Sequence, residues 1–226
     1  MIADPHAVAA RWPVPRVRAL AALARAVTLT PWALTAADRA AAIAAGLDDE
    51  AILHAVALAA YFGHLNRIAD VVAVPLDYDV VHRPPPLEAA VPPLAPAPWV
   101  VDDPPSIDLA LRPATALALD AWRAELFERD PGWLSAARRA WLADRVAGWL
   151  GAPGPAAAPP ADEQAAEQDA LAELITLAPW QVDDAALAPL RARGWDDAGL
   201  FELAAVISTA TVLVRIEVAL RALGRG

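Results

Sequence analysis

Thr28-Leu29-Thr30-Pro31-Trp32, Gly46-Leu47-Asp48-Asp49 and Leu65-Asn66-Arg67-Ile68 recur 148 residues further on. They return as Thr176-Leu177-Ala178-Pro179-Trp180, Gly194-Trp195-Asp196-Asp197 and Leu213-Val214-Arg215-Ile216. Without a gap, 14 of the 46 positions in 27–72 are identical to those in 175–220. In an alanine-rich chain, matches at Ala carry little. Matches at Trp, Pro, Gly and paired Asp carry more. Each copy reads as helix, Pro-Trp connection, short helix stopped by Gly, Asp cap and long apolar helix. The pattern predicts two similar helical units around a pseudo-twofold axis. Each long helix is too apolar to stand alone and should be buried.

The composition agrees with an all-α fold. The chain has 226 residues, 58% of them hydrophobic, and a mean hydropathy of +0.35, which excludes disorder for most of its length. Alanine is the strongest helix former, and aromatic residues are only 6%. Cysteine is absent, which removes disulfides, thiolate metal sites and cysteine nucleophiles. Lysine is absent too, so Schiff-base chemistry and a Walker-type phosphate loop are out. None of Ser106, Ser135 and Ser208 lies in a G-x-S-x-G elbow. A formal charge of −10 argues against nucleic acid as a partner. No membrane association is expected, because the longest apolar stretch, about 198–214, contains Glu202 and is shorter than a span. The first residues lack a basic region followed by an apolar run, so no signal peptide is expected. The protein is expected to be soluble and cytoplasmic.

The expected organisation is a first helical unit over 1–74, a Pro-rich connection over 75–113 and a second unit over 114–226, within one compact pseudo-symmetric domain. Eleven of the 22 prolines fall in 75–113, which no helix survives. Trp99-Val100-Val101 suggests a docked point within it. A flexible linker is expected near 151–161. Thr35 and Asp48 or Asp49 read as N-caps, and Gly46 as a stop. Trp133, Trp141 and Trp149, spaced by eight, should share one face of a helix over 134–150, as core or subunit interface.

Leu47-Asp48-Asp49-Glu50-Ala51-Ile52-Leu53-His54, followed by Ala60-Tyr61-Phe62-Gly63-His64-Leu65-Asn66-Arg67-Ile68-Ala69-Asp70, carries a resemblance. It resembles the C-terminal helical segment of the peroxidase-related proteins of the AhpD-like, carboxymuconolactone decarboxylase superfamily. Leu34-Thr35-x-x-Asp38 and Ala45-Gly46-Leu47 resemble the run into that helix. The likeness covers about 20–77 and reaches about 165–223 through the repeat. It implies an all-helical AhpD-like fold and a homo-oligomer, dimer or larger. Peroxidase members of the family use a Cys-x-x-Cys pair with a Glu and a His as proton relays. Without cysteine, disulfide cycling cannot occur here. The family's decarboxylase branch works without that pair, so a lyase or isomerase-like activity on a small acid stays open.

On the helix over 49–72, at 100° per residue, Glu50, His54 and Tyr61 fall within about 40° of one another, and His64 lies about 80° from His54. Glu50 and His54 stand at i,i+4, where a carboxylate raises an imidazole pKa and fixes its tautomer. The functional reading takes Glu50, His54, Tyr61 and His64 as catalytic groups of a proton-transfer pocket for a small molecule. The structural reading makes His54 and Tyr61 satisfied buried polar residues and Glu50 a first-turn carboxylate. Asn66 and Arg67 either grip an anionic substrate, or Arg67 holds a carbonyl or carboxylate at a helix junction. The second copy carries Ala198, Glu202, Thr209, Val212 and Val214 at the positions of Glu50, His54, Tyr61, His64 and Asn66. No metal and no cofactor are expected. Two functions follow: a divergent AhpD-like protein without thiol peroxidase activity but with this pocket, or a non-catalytic helical oligomeric scaffold whose site has decayed.

Overall fold

The computed structural model describes residues 14–73, 113–128, 132–152, 160 and 162–224. Among these residues the protein is all-α. Its helices are α1 (Pro15–Leu29), α2 (Ala36–Ala44), α3 (Asp49–Val71), α4 (Pro113–Phe127), α5 (Ala136–Trp149), α6 (Ala165–Leu177), α7 (Asp184–Ala192) and α8 (Asp197–Leu223). Short 3-10 turns, Pro31–Ala33 and Pro179–Gln181, follow α1 and α6. The expected connection over 75–113, apart from its last residue, lies outside the described residues. So do its Trp99-Val100-Val101 patch and most of the linker near 151–161.

Local chemistry sets these boundaries. Thr35 and Asp38 form a reciprocal capping box at α2. Asp48 accepts the N–H of Ala51 at 2.7 Å, and Asp196 accepts that of Gly199 at 2.8 Å. The second Asp of each pair binds an arginine instead: Asp49 takes Arg39, and Asp197 takes Arg191. Gly46 (φ +92°) and Gly194 (φ +89°) stop α2 and α7 in the left-handed region. At both ends the next N–H returns to the helix: Leu47 donates to the Ala42 carbonyl, and Trp195 to that of Leu190, each at 3.1 Å. The two 3-10 turns, α2 and α7, and the first residues of α3 and α8 all stand 148 residues apart.

α8 is the central element. It packs along α3 and is flanked by α1, α5 and α6. Side chains are buried around its whole circumference, from Leu200 to Leu223. By length and composition alone α8 could cross a membrane, but 83% of its most apolar window is buried inside the protein. One core joins α5 to α8 around Leu142, Val146, Ile175, Leu203 and Ile207. The other joins α1, α2 and α3 to the C-terminal half of α8 through Val27, Val56, Val212 and Ile216. α3 is less enclosed than the sequence predicts. It buries Ile52, Val56, Ala60, Arg67 and Val71, while Leu58, Phe62 and Leu65 stay exposed.

The tryptophan stripe also needs correction. Ser135 caps α5 by accepting the N–H of Arg138, so Trp133 precedes the helix. It is 44% exposed and packs on Trp195, with ring centroids 5.3 Å apart. Trp141 and Trp149 are core residues, each covered by a guanidinium, from Arg138 and Arg145 respectively.

Two arginines tie α3 and α8 to the opposite half. Arg67 is 6% exposed and donates to the Ile175 carbonyl through Nε and to the Thr176 carbonyl through Nη2, both at 3.1 Å. Its Nη1 binds the Gly63 carbonyl at 2.8 Å. Arg215, 1% exposed, donates through Nη1 to the carbonyls of Val27, at 2.9 Å, and Thr28. Val27 and Thr28 stand 148 residues before Ile175 and Thr176. Each arginine therefore satisfies carbonyls that a helix end leaves without intrahelical partners.

Candidate functional site

α3 and α4 line a cleft of about 500 Å³ that is open to solvent on one side. α3 contributes His54, Ala57, Leu58, Tyr61 and His64; α4 contributes Thr115, Ala118, Leu119 and Trp122. The helical period explains the α3 set, since steps of three and four keep these residues on one face. Volume and apolar lining fall in the range of small-molecule sites.

Three of the four expected catalytic residues meet here: His54, Tyr61 and His64. Glu50 does not line the cleft. The His54–Glu50 side-chain pair is also replaced. His54 Nδ1 lies 2.7 Å from the Glu50 backbone carbonyl. A carbonyl only accepts, so Nδ1 carries a proton and the ring turns its Nε2 the other way. That nitrogen is enclosed without a hydrogen-bond partner. Tyr61 is 42% exposed, so the satisfied buried role considered for it does not describe it.

The chemistry concentrates at the other end. Tyr61 and His64 lie one turn apart with their rings stacked, centroids 6.1 Å apart and planes at 22°. The Trp122 ring meets His64 edge-on at 4.9 Å and Tyr61 at 5.9 Å. His64 Nδ1 is enclosed without a partner. Burial, and secondly the charge of Arg67, hold its imidazole below the ordinary 6.5. His64 is therefore neutral at pH 7 and suited to accept or relay a proton. Trp122 was not singled out from the sequence. It is a lone tryptophan on a helix without a repeated partner, and only the tertiary fold brings it to His64.

Asn66 and Arg67 lie apart from this cleft. Asn66 borders a separate depression between α1 and α3, beside Leu20, Phe62 and Gly63. Arg67 is committed to main-chain carbonyls, and desolvation lowers its pKa to about 10. The substrate grip considered for this pair is replaced by the helix-junction role for Arg67. Gly63 serves that junction, because a Cβ there would stand 3.0 Å from Arg67 Nη1.

Asp70 lies in a third, acidic depression with Asp183, Asp184 and Asp197. Burial raises the Asp70 carboxyl pKa, and Arg67 partly opposes the rise. Among the described residues no group of three or more His, Asp or Glu side chains is arranged to hold a metal.

The depressed His64 pKa has a stability consequence. The unfolded imidazole binds a proton near 6.5 and the folded one does not. The contribution of His64 is fully present above that pH and is lost as pH falls from there through the lower folded value. A proton NMR titration should place the His64 midpoint below 6.5. Urea unfolding should show the loss on acidification, reduced in His64→Phe. A midpoint at or above 6.5 would contradict the burial of this ring.

Comparison with protein-family models, with curated proteins and with solved structures returns no match.

Proposed function

We propose that this chain is a divergent AhpD-like protein of two related helical units. It lacks thiol peroxidase activity and keeps a small-molecule pocket between α3 and α4. Its setting is the cytoplasm, its state a homo-oligomer. One observation carries the functional part: His54, Tyr61 and His64 line one cleft, and Trp122 closes on the last two. The neutral imidazole of His64 beside the Tyr61 ring supports proton transfer to or from a bound molecule. His54 lies ten residues away, a rise of about 15 Å, so it does not act on the same atoms. The element bounds and buried arginine contacts repeated at an offset of 148 support the two-unit reading.

The test is deuterium incorporation from D2O next to the carbonyl of a panel of small neutral ketones, followed by proton NMR. The wild-type chain is expected to accelerate exchange for at least one of them. His64→Phe should lower that rate about 100-fold, in the range set by a positioned base, while its circular dichroism stays unchanged. A folded His64→Phe chain that exchanges as fast as wild type removes proton transfer at this site.

The exposed side chains of Leu58, Phe62 and Leu65, on the same helix, favour a second reading as an oligomeric scaffold. Sedimentation equilibrium of wild type against Phe62→Glu tests it. A shift toward monomer, together with no catalysed exchange on any ketone, would leave the scaffold as the better account.

A further inference from the structure

The α8 positions equivalent to the cleft-lining face of α3 are buried, whereas that face of α3 is left partly open. Position 202 stands 148 residues beyond His54. There the Glu202 carboxylate accepts the N–H groups of Trp133, at 2.7 Å, and Leu134, at 3.1 Å, where the chain enters α5. Val206, Thr209 and Val212 stand 148 residues beyond Leu58, Tyr61 and His64, and all three are buried. On α3 the same register is flanked by α4, and the remaining space is the cleft of about 500 Å³. That volume suits a small molecule and is too small for another helix, whose side chains alone make it about 10 Å across.

Shape, walls and charge narrow the occupant. His54 and His64 mark a lining about 15 Å long, well beyond a single ring. Between them Ala57, Leu58, Ala118 and Leu119 offer hydrocarbon only. Among the described residues no Asp, Glu or Arg lines the cleft. The nearest cation along α3, Arg67, is turned to the carbonyls of Ile175 and Thr176. Among the described lining residues a carboxylate would find no counter-ion, and the chain's formal charge of −10 opposes it further. Two polar side chains, the Tyr61 hydroxyl and the His64 ring, stand together beside Trp122 at one end, against the single imidazole of His54 at the other end of α3's lining.

We propose that the cleft binds an uncharged, elongated hydrocarbon molecule carrying a hydroxyl or carbonyl group, with that group at the Tyr61–His64 end. This rests on the pocket reading above and specifies its ligand class.

Isothermal titration of the full chain with hexan-1-ol, octan-1-ol, decan-1-ol and decanoate at pH 8 tests it. Each added methylene in the alcohols should tighten binding about threefold to fourfold. Decanoate should bind at least about tenfold more weakly than decan-1-ol, as the lost solvation of its charge requires. Ala118 is exposed on α4, so Ala118→Trp should fold and obstruct the cleft, weakening decan-1-ol about tenfold or more. Thr115→Trp serves if that variant does not fold. Decanoate binding as tightly as the alcohol, with both lost in Ala118→Trp, overturns the ligand class and leaves the pocket standing. Decan-1-ol binding unchanged in the folded Ala118→Trp chain overturns both. Absence of decan-1-ol binding up to its solubility limit overturns the class, while the ketone exchange assay still judges the pocket.

Discussion

Arg215→Ala is expected to lower folding stability by about 3–5 kcal/mol, read as a fall in the urea midpoint at constant slope. The reasoning starts at the end of α1. The Val27 and Thr28 carbonyls belong to the last turn of a helix, so no intrahelical N–H reaches them. Arg215 supplies their donor from the middle of the core, where it is 1% exposed. Truncation leaves acceptors without that donor and opens a cavity the length of an arginine. An opposing effect limits the loss. The guanidinium is desolvated, its Nε and Nη2 have no partner, and the charge of Arg67 acts on it, so its pKa is pulled well below the ordinary value. Arg215→Met keeps most of the volume and removes the buried charge, so it should cost about half as much as alanine. The same repulsion, which either single variant already relieves, predicts that the Arg67→Ala, Arg215→Ala double variant loses more than the sum of its singles. Strict additivity would mean that the two guanidiniums do not influence each other.

What the sequence made legible is local, and what it hid is mostly long-range. Thr35, Asp48, Gly46 and Gly194 act on backbone groups within five residues, so type and spacing sufficed to place helix ends. The depth of α8 was legible too, because a helix apolar on every face has nowhere else to go. Periodicity also assembled three of the cleft residues, since His54, Tyr61 and His64 share one face of α3. It could not say whether that face was covered. Leu65, one turn beyond Tyr61, stays exposed, and the buried face of α3 runs through Ile52, Val56 and Ala60. The partner of an arginine is equally silent in sequence: Arg67 reaches carbonyls more than a hundred residues away. The Glu50–His54 pair failed for a different reason. Spacing of i,i+4 permits a side-chain bond, but it also places the imidazole beside the Glu50 carbonyl, which it takes at 2.7 Å.

Glu202 provides the other large effect, because every group directed at it is a donor. Its Oε2 accepts the N–H of Trp133; its Oε1 accepts the N–H of Leu134 and Nη2 of Arg139, the last at 2.7 Å. Arg139 is 5% exposed and continues the link to α4 by donating through Nη1 to the Leu126 carbonyl at 2.9 Å. One carboxylate thus joins the entry of α5, the end of α4 and the first turns of α8. Glu202→Ala removes a carboxylate partner of a buried guanidinium and should cost about 3–4 kcal/mol. Glu202→Gln should recover little, costing about 2–3 kcal/mol, because its amide turns a donor toward groups that also donate. Gly132 gives an independent check. A Cβ at that position would overlap the Glu202 carboxylate, so Gly132→Ala should destabilise the wild type and do far less in the Glu202→Ala chain. Chemical unfolding of the four chains measures this coupling. Equal costs of Gly132→Ala in both backgrounds would show that its effect arises in its own backbone and not against Glu202.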